Sequence, residues 1–133
     1  MSQVSSELDT LTCDLIGEAV STLEAEGKLP VLLMSDAEQD LLAFEDDDPD
    51  GCYRAACQQV YDYKDACNIY AIVYEGVVQE TEQDSGAPAI IFEFAQRGEE
   101  AAWSGYVLYR RNKSGEVEVS DPFPGGEEQL LFG

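Results

Sequence analysis

The stretch Asn68–Val119 constrains the fold of this chain most strongly. It contains three runs rich in β-branched and aromatic residues, Asn68–Val78, Ala87–Phe94 and Ala101–Arg111, which are separated by segments that contain glycine. This composition is typical of strands rather than helices. A short fourth strand is predicted at Glu116–Val119, where valine alternates with glutamate as in a strand with one buried face. We therefore expect a meander of four antiparallel strands.

Two helices are predicted before these strands. Between about residues 4 and 26, apolar residues recur at steps of three and four, and Gly27 and Pro30 then provide a stop. A second stripe of this kind predicts a helix over about residues 49–65. Strands that follow one another, with helices kept apart, favour the α+β class. We expect a single domain, residues 1–133, with two layers, in which both helices cover one face of a mainly antiparallel sheet.

Three further segments complete this prediction. Pro30–Met34 is a continuous apolar run, which is typical of a buried strand. Residues 36–44 fit either a short helix or a polar turn followed by a returning strand at Leu41–Phe44, and we favour this hairpin. Asp121–Gly126 contains two prolines and two glycines and is expected to be irregular, while Gln129–Phe132 is expected either to add a last short strand or to lie loose.

The charge of the chain is extreme. It has 28 acidic residues against 7 basic ones, which gives a formal net charge of −21. Such a surface repels the phosphates of nucleic acids and anionic membranes and attracts cations and basic proteins. Direct nucleic acid binding is therefore not expected, whereas mimicry of a nucleic acid by rows of carboxylates is compatible with this charge. Solubility, or adaptation to salt, is a simpler explanation of the same acidity.

The sequence excludes several chemistries. The chain has no histidine, so a Ser-His-Asp or Cys-His nucleophilic site cannot form, and no glycine-rich phosphate loop followed by lysine occurs. Cys52, Cys57 and Cys67 lack the paired spacing of zinc sites. The start of the chain does not resemble a signal peptide, and no apolar run is long enough for a membrane span. We therefore expect a cytoplasmic protein with free, mostly buried thiols.

One motif resembles a metal site. Asp46, Asp48 and Asp50 lie at alternate positions before Gly51, as in the opening of a calcium loop, and would bind Ca²⁺ or Mg²⁺ weakly. The glutamate that closes such a loop is missing, since Cys57 stands at its position. A helix start explains the same letters, with Asp48 as the N-cap, a proline at the first helical position and Asp50 in the first turn.

Aromatic residues on the strands form a candidate interface. Within Asn68–Val78, alternate residues give two apolar faces, and we expect the helices to cover only one of them. The other face would then expose an aromatic patch for a partner or for a homodimer. The residues predicted to form this interface are Tyr70, Tyr74, Trp103, Tyr106 and Tyr109.

These observations favour a binding protein over an enzyme. We expect a non-catalytic interaction protein whose acidic surface binds a basic protein partner, of the inhibitor, immunity or nucleic-acid-mimic type. The alternatives are a weak divalent-cation binding domain and a hydrolase that uses a pair of carboxylates.

Overall fold

The computed structural model describes residues 6–36, 41–45, 48–63, 65–78, 86–97 and 102–128. Within these residues the chain forms two helices and seven strands. In chain order they are α1 (Ser6–Glu26), β1 (Val31–Ser35), β2 (Leu42–Phe44), α2 (Pro49–Asp62), β3 (Ile69–Val78), β4 (Ala87–Gln96), β5 (Ala102–Arg111), β6 (Val117–Val119) and β7 (Phe123–Glu128). In the same part of the chain, no helix is both long and apolar enough to cross a membrane.

The strands form one antiparallel sheet. Its order is β2-β1-β3-β4-β5-β6, and β7 pairs with β5 beside β6. The predicted α+β class and the meander of four strands, β3 to β6, are confirmed. The returning strand predicted at Leu41–Phe44 is confirmed as well, because β2 runs antiparallel to β1 and pairs Phe44 with Val31. Residues 37–40 of the predicted turn lie outside the described residues.

The helices lie on opposite faces of the sheet. Ala71 and Val73 of β3 pack in one core with α1, whereas Tyr70 and Ile72 of the same strand pack in a second core with α2. The prediction that both helices cover one face is therefore wrong. The physical reason is that β1 and β3 are apolar on both faces, so each face needs its own cover to be removed from water.

The segment predicted to be irregular contains a strand. β7 begins at Phe123, and a register shift of its pairing with β5 lies between Ser104 and Gly105. Gly125 fits closely against this bulge, since a Cβ atom on it would lie 2.6 Å from the Ser104 Oγ. Proline and glycine are tolerated at such edge positions, which is why the prediction was wrong. The strand considered at Gln129–Phe132 lies outside the described residues.

The end of α1 is fastened to the sheet. Gly27 has a positive φ of 78° and donates its N–H to the Leu23 carbonyl, which confirms the predicted helix stop. The Arg111 guanidinium also donates to the Leu23 carbonyl, and Glu24 accepts the Val117 N–H at 3.0 Å. Because α1 has no basic residue in its last turn, Arg111 supplies the positive charge that a helix C-terminus favours.

A side-chain contact also joins β1 to β3. Asp36 Oδ1 accepts the N–H groups of Asn68 and Ile69 at 2.7 and 3.1 Å. Burial by itself would raise the pKa of Asp36, but these hydrogen bonds outweigh burial and lower it below the ordinary value.

Candidate functional site

The acidic motif lies at the start of α2. Asp48 is the N-cap residue and Asp50 is in the first turn, so the helix-start interpretation is confirmed. The Asp48 carboxylate lies 3.6 Å from the Arg54 guanidinium. Asp46 lies outside the described residues, and among those described no group of three potential ligands is placed to hold a metal ion. A Ca²⁺ or Mg²⁺ site stays a prediction, which calorimetric titration with either ion tests.

The five aromatic residues predicted to form an interface are divided between the two faces of the sheet. Strand register places Tyr70, Tyr74 and Tyr106 on the face that carries α2, and it places Trp103 and Tyr109 on the face that carries α1. Tyr70 is only 1% exposed, because α2 covers it. The structure therefore does not bring the five side chains together on one surface.

A buried carboxylate that sequence reasoning missed lies on the α2 side of the sheet. Glu93 in β4 is 5% exposed, and its neighbours on the same face of the strand, Ile91 and Ala95, are apolar. Register places it opposite Ile72 of β3. An acid in the middle of an apolar strand face is the sequence signal for this residue, since a charge is buried only when hydrogen-bond partners compensate it.

Two tyrosines supply those partners. The Tyr53 hydroxyl, from α2, lies 2.7 and 2.8 Å from the two oxygens of Glu93, and the Tyr74 hydroxyl, from β3, donates at 2.8 Å. The two rings meet edge to face, with centroids 5.2 Å apart. The hydrogen bonds therefore join the helix to two strands around one carboxylate.

The Tyr53 phenol and the Cys57 thiol are held in their protonated forms. Burial raises the pKa of Tyr53 well above its ordinary value, and the hydrogen bond and charge of Glu93 raise it further. Burial also raises the pKa of Cys57, as does the charge of Glu93, although a hydrogen bond with Tyr53 opposes both. These groups are therefore suited to hold the helix on the sheet rather than to supply a thiolate or phenolate nucleophile.

All four cysteines are free thiols, as predicted. Cys52 and Cys67 are buried, Cys57 is half-buried, and Cys13 is exposed on α1. Burial is the largest cause that raises the pKa of Cys67 to about 11. The prediction that the cysteines act as small buried hydrophobes therefore holds for Cys52 and Cys67 but not for Cys13.

A cleft of about 580 Å³ opens beside the tyrosines. It lies where β3 continues past the start of β1, next to the first turns of α2. Its described lining includes Tyr53, Tyr74 and Asp50. A second depression of about 500 Å³, between β5 and β6, is lined by Arg110 and Glu118, which pair with each other at 3.1 Å.

A third depression runs along the start of α1. It has a volume of about 370 Å³, and Leu11 and Ile69 are the apolar residues among its described lining. Glu7 and Asp14 also line it, and the described lining contains no basic residue. We refer to this depression, with Glu7, Leu11, Asp14 and Ile69, as the acidic groove. It combines apolar surface with two carboxylates, an arrangement that suits the stem and head of a lysine or arginine side chain.

Comparison of the chain with protein-family models, with curated proteins and with solved structures finds no match.

Proposed function

We propose that this protein is a non-catalytic, cytoplasmic binding protein that uses the acidic groove on α1 to hold a basic protein partner. The observation that carries the proposal is the groove itself, in which Glu7 and Asp14 lie beside Leu11 and Ile69. A basic partner would place its aliphatic stems on the apolar residues and its charges at the carboxylates.

The charge distribution of α1 supports this choice. The helix carries six acidic residues and no lysine or arginine, and all six acids are exposed. Glu7, Asp14 and Glu18 are separated by seven and four residues, so they follow one line along the helix. That line spans about 16 Å at the rise of an α-helix.

The arginines of the described chain make contacts within the protein. Arg54 pairs with Asp48 and Arg110 with Glu118, while Arg97 and Arg111 donate to main-chain carbonyls. None of these contacts neutralises the acids of α1. Arg111 lies at the C-terminal end of α1, so the field around the N-terminal part of this helix, where the acidic groove lies, is negative and favours a positively charged partner.

Capture from a nuclease-treated cell lysate at low salt tests the proposal. The immobilised protein is compared with two variants that each lose three charges. The test variant changes residues on α1: Glu7→Gln, Asp14→Asn and Glu18→Gln. The control variant changes exposed acids elsewhere: Glu45→Gln, Asp65→Asn and Asp121→Asn. We expect basic proteins to bind the wild type and the control, and the test variant to bind about tenfold more weakly.

Two outcomes count against the proposal. Equal loss of binding in both variants would mean that net charge alone attracts the captured proteins. Retention of binding in the test variant would mean that the contact lies elsewhere. A duplex DNA competitor distinguishes the nucleic-acid-mimic form of the proposal, because DNA then displaces the partner from the protein.

Homodimer formation is a second candidate function. An aromatic pair at the other end of the sheet favours it. Tyr106 stacks on Phe123 with centroids 5.2 Å apart, and Phe123 is 40% exposed. The packing of α2 is on β1, β2 and β3, so among the described elements α2 does not extend over this part of the sheet. Light scattering tests the candidate: a dimer that Phe123→Asp converts to a monomer supports it, and a monomeric wild type contradicts it.

A further inference from the structure

The cleft beside Tyr53 and Tyr74 has the dimensions of a small-molecule site. Its volume of about 580 Å³ falls within the range of roughly 300–1,000 Å³ that is usual for ligand pockets. Its described lining is apolar or aromatic with two acids. The residues are Leu29, Val31, Asp50, Tyr53, Tyr74, Glu75, Gly76, Val77 and Pro88.

The charge of this lining is entirely negative. Asp50 and Glu75 contribute carboxylates, of which Glu75 also accepts a hydrogen bond from the Tyr109 hydroxyl at 2.9 Å. No lysine or arginine occurs among the described lining residues. Glu93 lies behind the two tyrosines and is linked to both of them. An anion would therefore meet like charges, and the first turn of α2, which would otherwise attract an anion, already carries Asp50.

The tyrosine rings favour a cation in a second way. Each phenol donates a hydrogen bond to the Glu93 carboxylate, and such a hydrogen bond increases the electron density of the ring. An electron-rich ring attracts a cation over its face more strongly. The carboxylate thus acts on the cleft through the rings, even though it is itself buried.

We propose that the cleft binds a small alkylammonium ion, with its charged group against the Tyr53 and Tyr74 rings and its alkyl chain against Val31. The two tyrosines of this site lie on the α2 side of the sheet, at the edge where β3 continues past β1, whereas the acidic groove lies along the start of α1. The proposal therefore does not depend on the function proposed above, and the two can fail separately.

Titration with n-butylammonium, followed by NMR at the methyl groups of Val31, tests the proposal. The neutral probe n-butanol has the same alkyl chain and a similar size. We expect n-butylammonium to shift these methyl signals with a Kd on the order of 1 mM, and n-butanol to bind about tenfold more weakly. Equal binding of the two probes, or no shift with either, would overturn the proposal.

Point variants distinguish the contribution of the tyrosine rings to binding from that of the acidic residues. Tyr74→Phe keeps the ring but removes its hydrogen bond to Glu93, and we expect n-butylammonium to bind roughly two- to fivefold more weakly. Asp50→Asn is compared with Glu18→Gln, which removes the same charge on the other side of the sheet. Asp50→Asn should weaken binding and Glu18→Gln should not; equal weakening would mean that the ion senses net charge only.

A further titration distinguishes a small-molecule ammonium ion from the ammonium group of a protein lysine. The free amine is compared with N-acetyl-lysine methylamide, which presents the same group as a protein side chain does. Tighter binding of the free amine supports a small-molecule site. Tighter binding of the lysine derivative would overturn that assignment and make the cleft a docking site for a lysine of a partner protein.

Discussion

The hydrogen bonds around Glu93 predict that Tyr53→Phe changes the free energy of unfolding in opposite directions when Glu93 is present and when it is replaced. Tyr53→Phe removes a hydroxyl that lies within 2.8 Å of both Glu93 oxygens. A hydrogen bond to a charged group contributes about 1.5–3 kcal/mol to stability, so we expect Tyr53→Phe to lower the free energy of unfolding by about that amount. This is a large fraction of the roughly 5–15 kcal/mol that is typical of a folded domain.

The same mutation should have the opposite sign once the carboxylate is gone. Glu93→Met replaces the acid by an apolar side chain of similar length and leaves the Tyr53 hydroxyl without this acceptor. In that background Tyr53→Phe removes a half-buried hydroxyl that has lost its carboxylate acceptor, so it should be neutral or stabilising. The coupling free energy of the double-mutant cycle is therefore expected to exceed about 1.5 kcal/mol.

Urea unfolding monitored by the fluorescence of Trp103 measures these values. Trp103 is the only tryptophan of the chain, and it lies on β5 on the other face of the sheet. Tyr63→Phe is the matched control, because Tyr63 is 47% exposed at the end of α2, and it should change stability by less than about 0.5 kcal/mol. If Tyr53→Phe costs the same free energy of unfolding in both backgrounds, the Tyr53 hydroxyl is not coupled to the Glu93 carboxylate.

Three further predictions concern the contacts that hold the fold. Arg111→Gln should lower the free energy of unfolding by about 1–2 kcal/mol in a urea titration, because the C-terminus of α1 then loses its positive partner at Leu23; no change would contradict this. Gly105→Ala should lower the thermal midpoint, at a cost of about 1–3 kcal/mol. A Cβ there would lie 2.7 Å from the Phe92 ring and 2.8 Å from a main-chain oxygen, so an unchanged midpoint would contradict the packing. The pKa of Asp36 is lowered in the folded state, so its contribution is present above its ordinary value of 3.8 and is lost as pH falls through the lowered value. Stability curves of the wild type and Asp36→Asn should therefore converge as pH falls below 3.8, and parallel curves would be inconsistent with this role.

The strands and helices could be predicted because their signals are local. The composition of β3 to β5 and the periodicity of the two helices depend only on nearby residues. The placement of the helices depends on the whole sheet. The apolar faces of β3 were visible in the sequence, but only the complete strand order shows that α1 and α2 cover opposite faces.

The candidate sites depend on contacts between residues that are distant in the chain. Tyr53 and Glu93 are separated by 40 positions, and no short motif connects them. The sequence showed an acidic motif at Asp48 and Asp50, but in the structure these residues form the start of α2. β7 was missed because its pairing includes a bulge, which allows proline and glycine in a strand at the edge.

The acidic groove on α1 is proposed to hold a basic partner. The most direct measurement is the Kd of a purified captured partner as a function of salt concentration, for the wild type, the α1 triple variant and the control triple variant. We predict that the wild type and the control share a steep loss of affinity with salt, and that the α1 variant binds weakly with a shallower dependence. Identical salt dependence of all three proteins would contradict the claim.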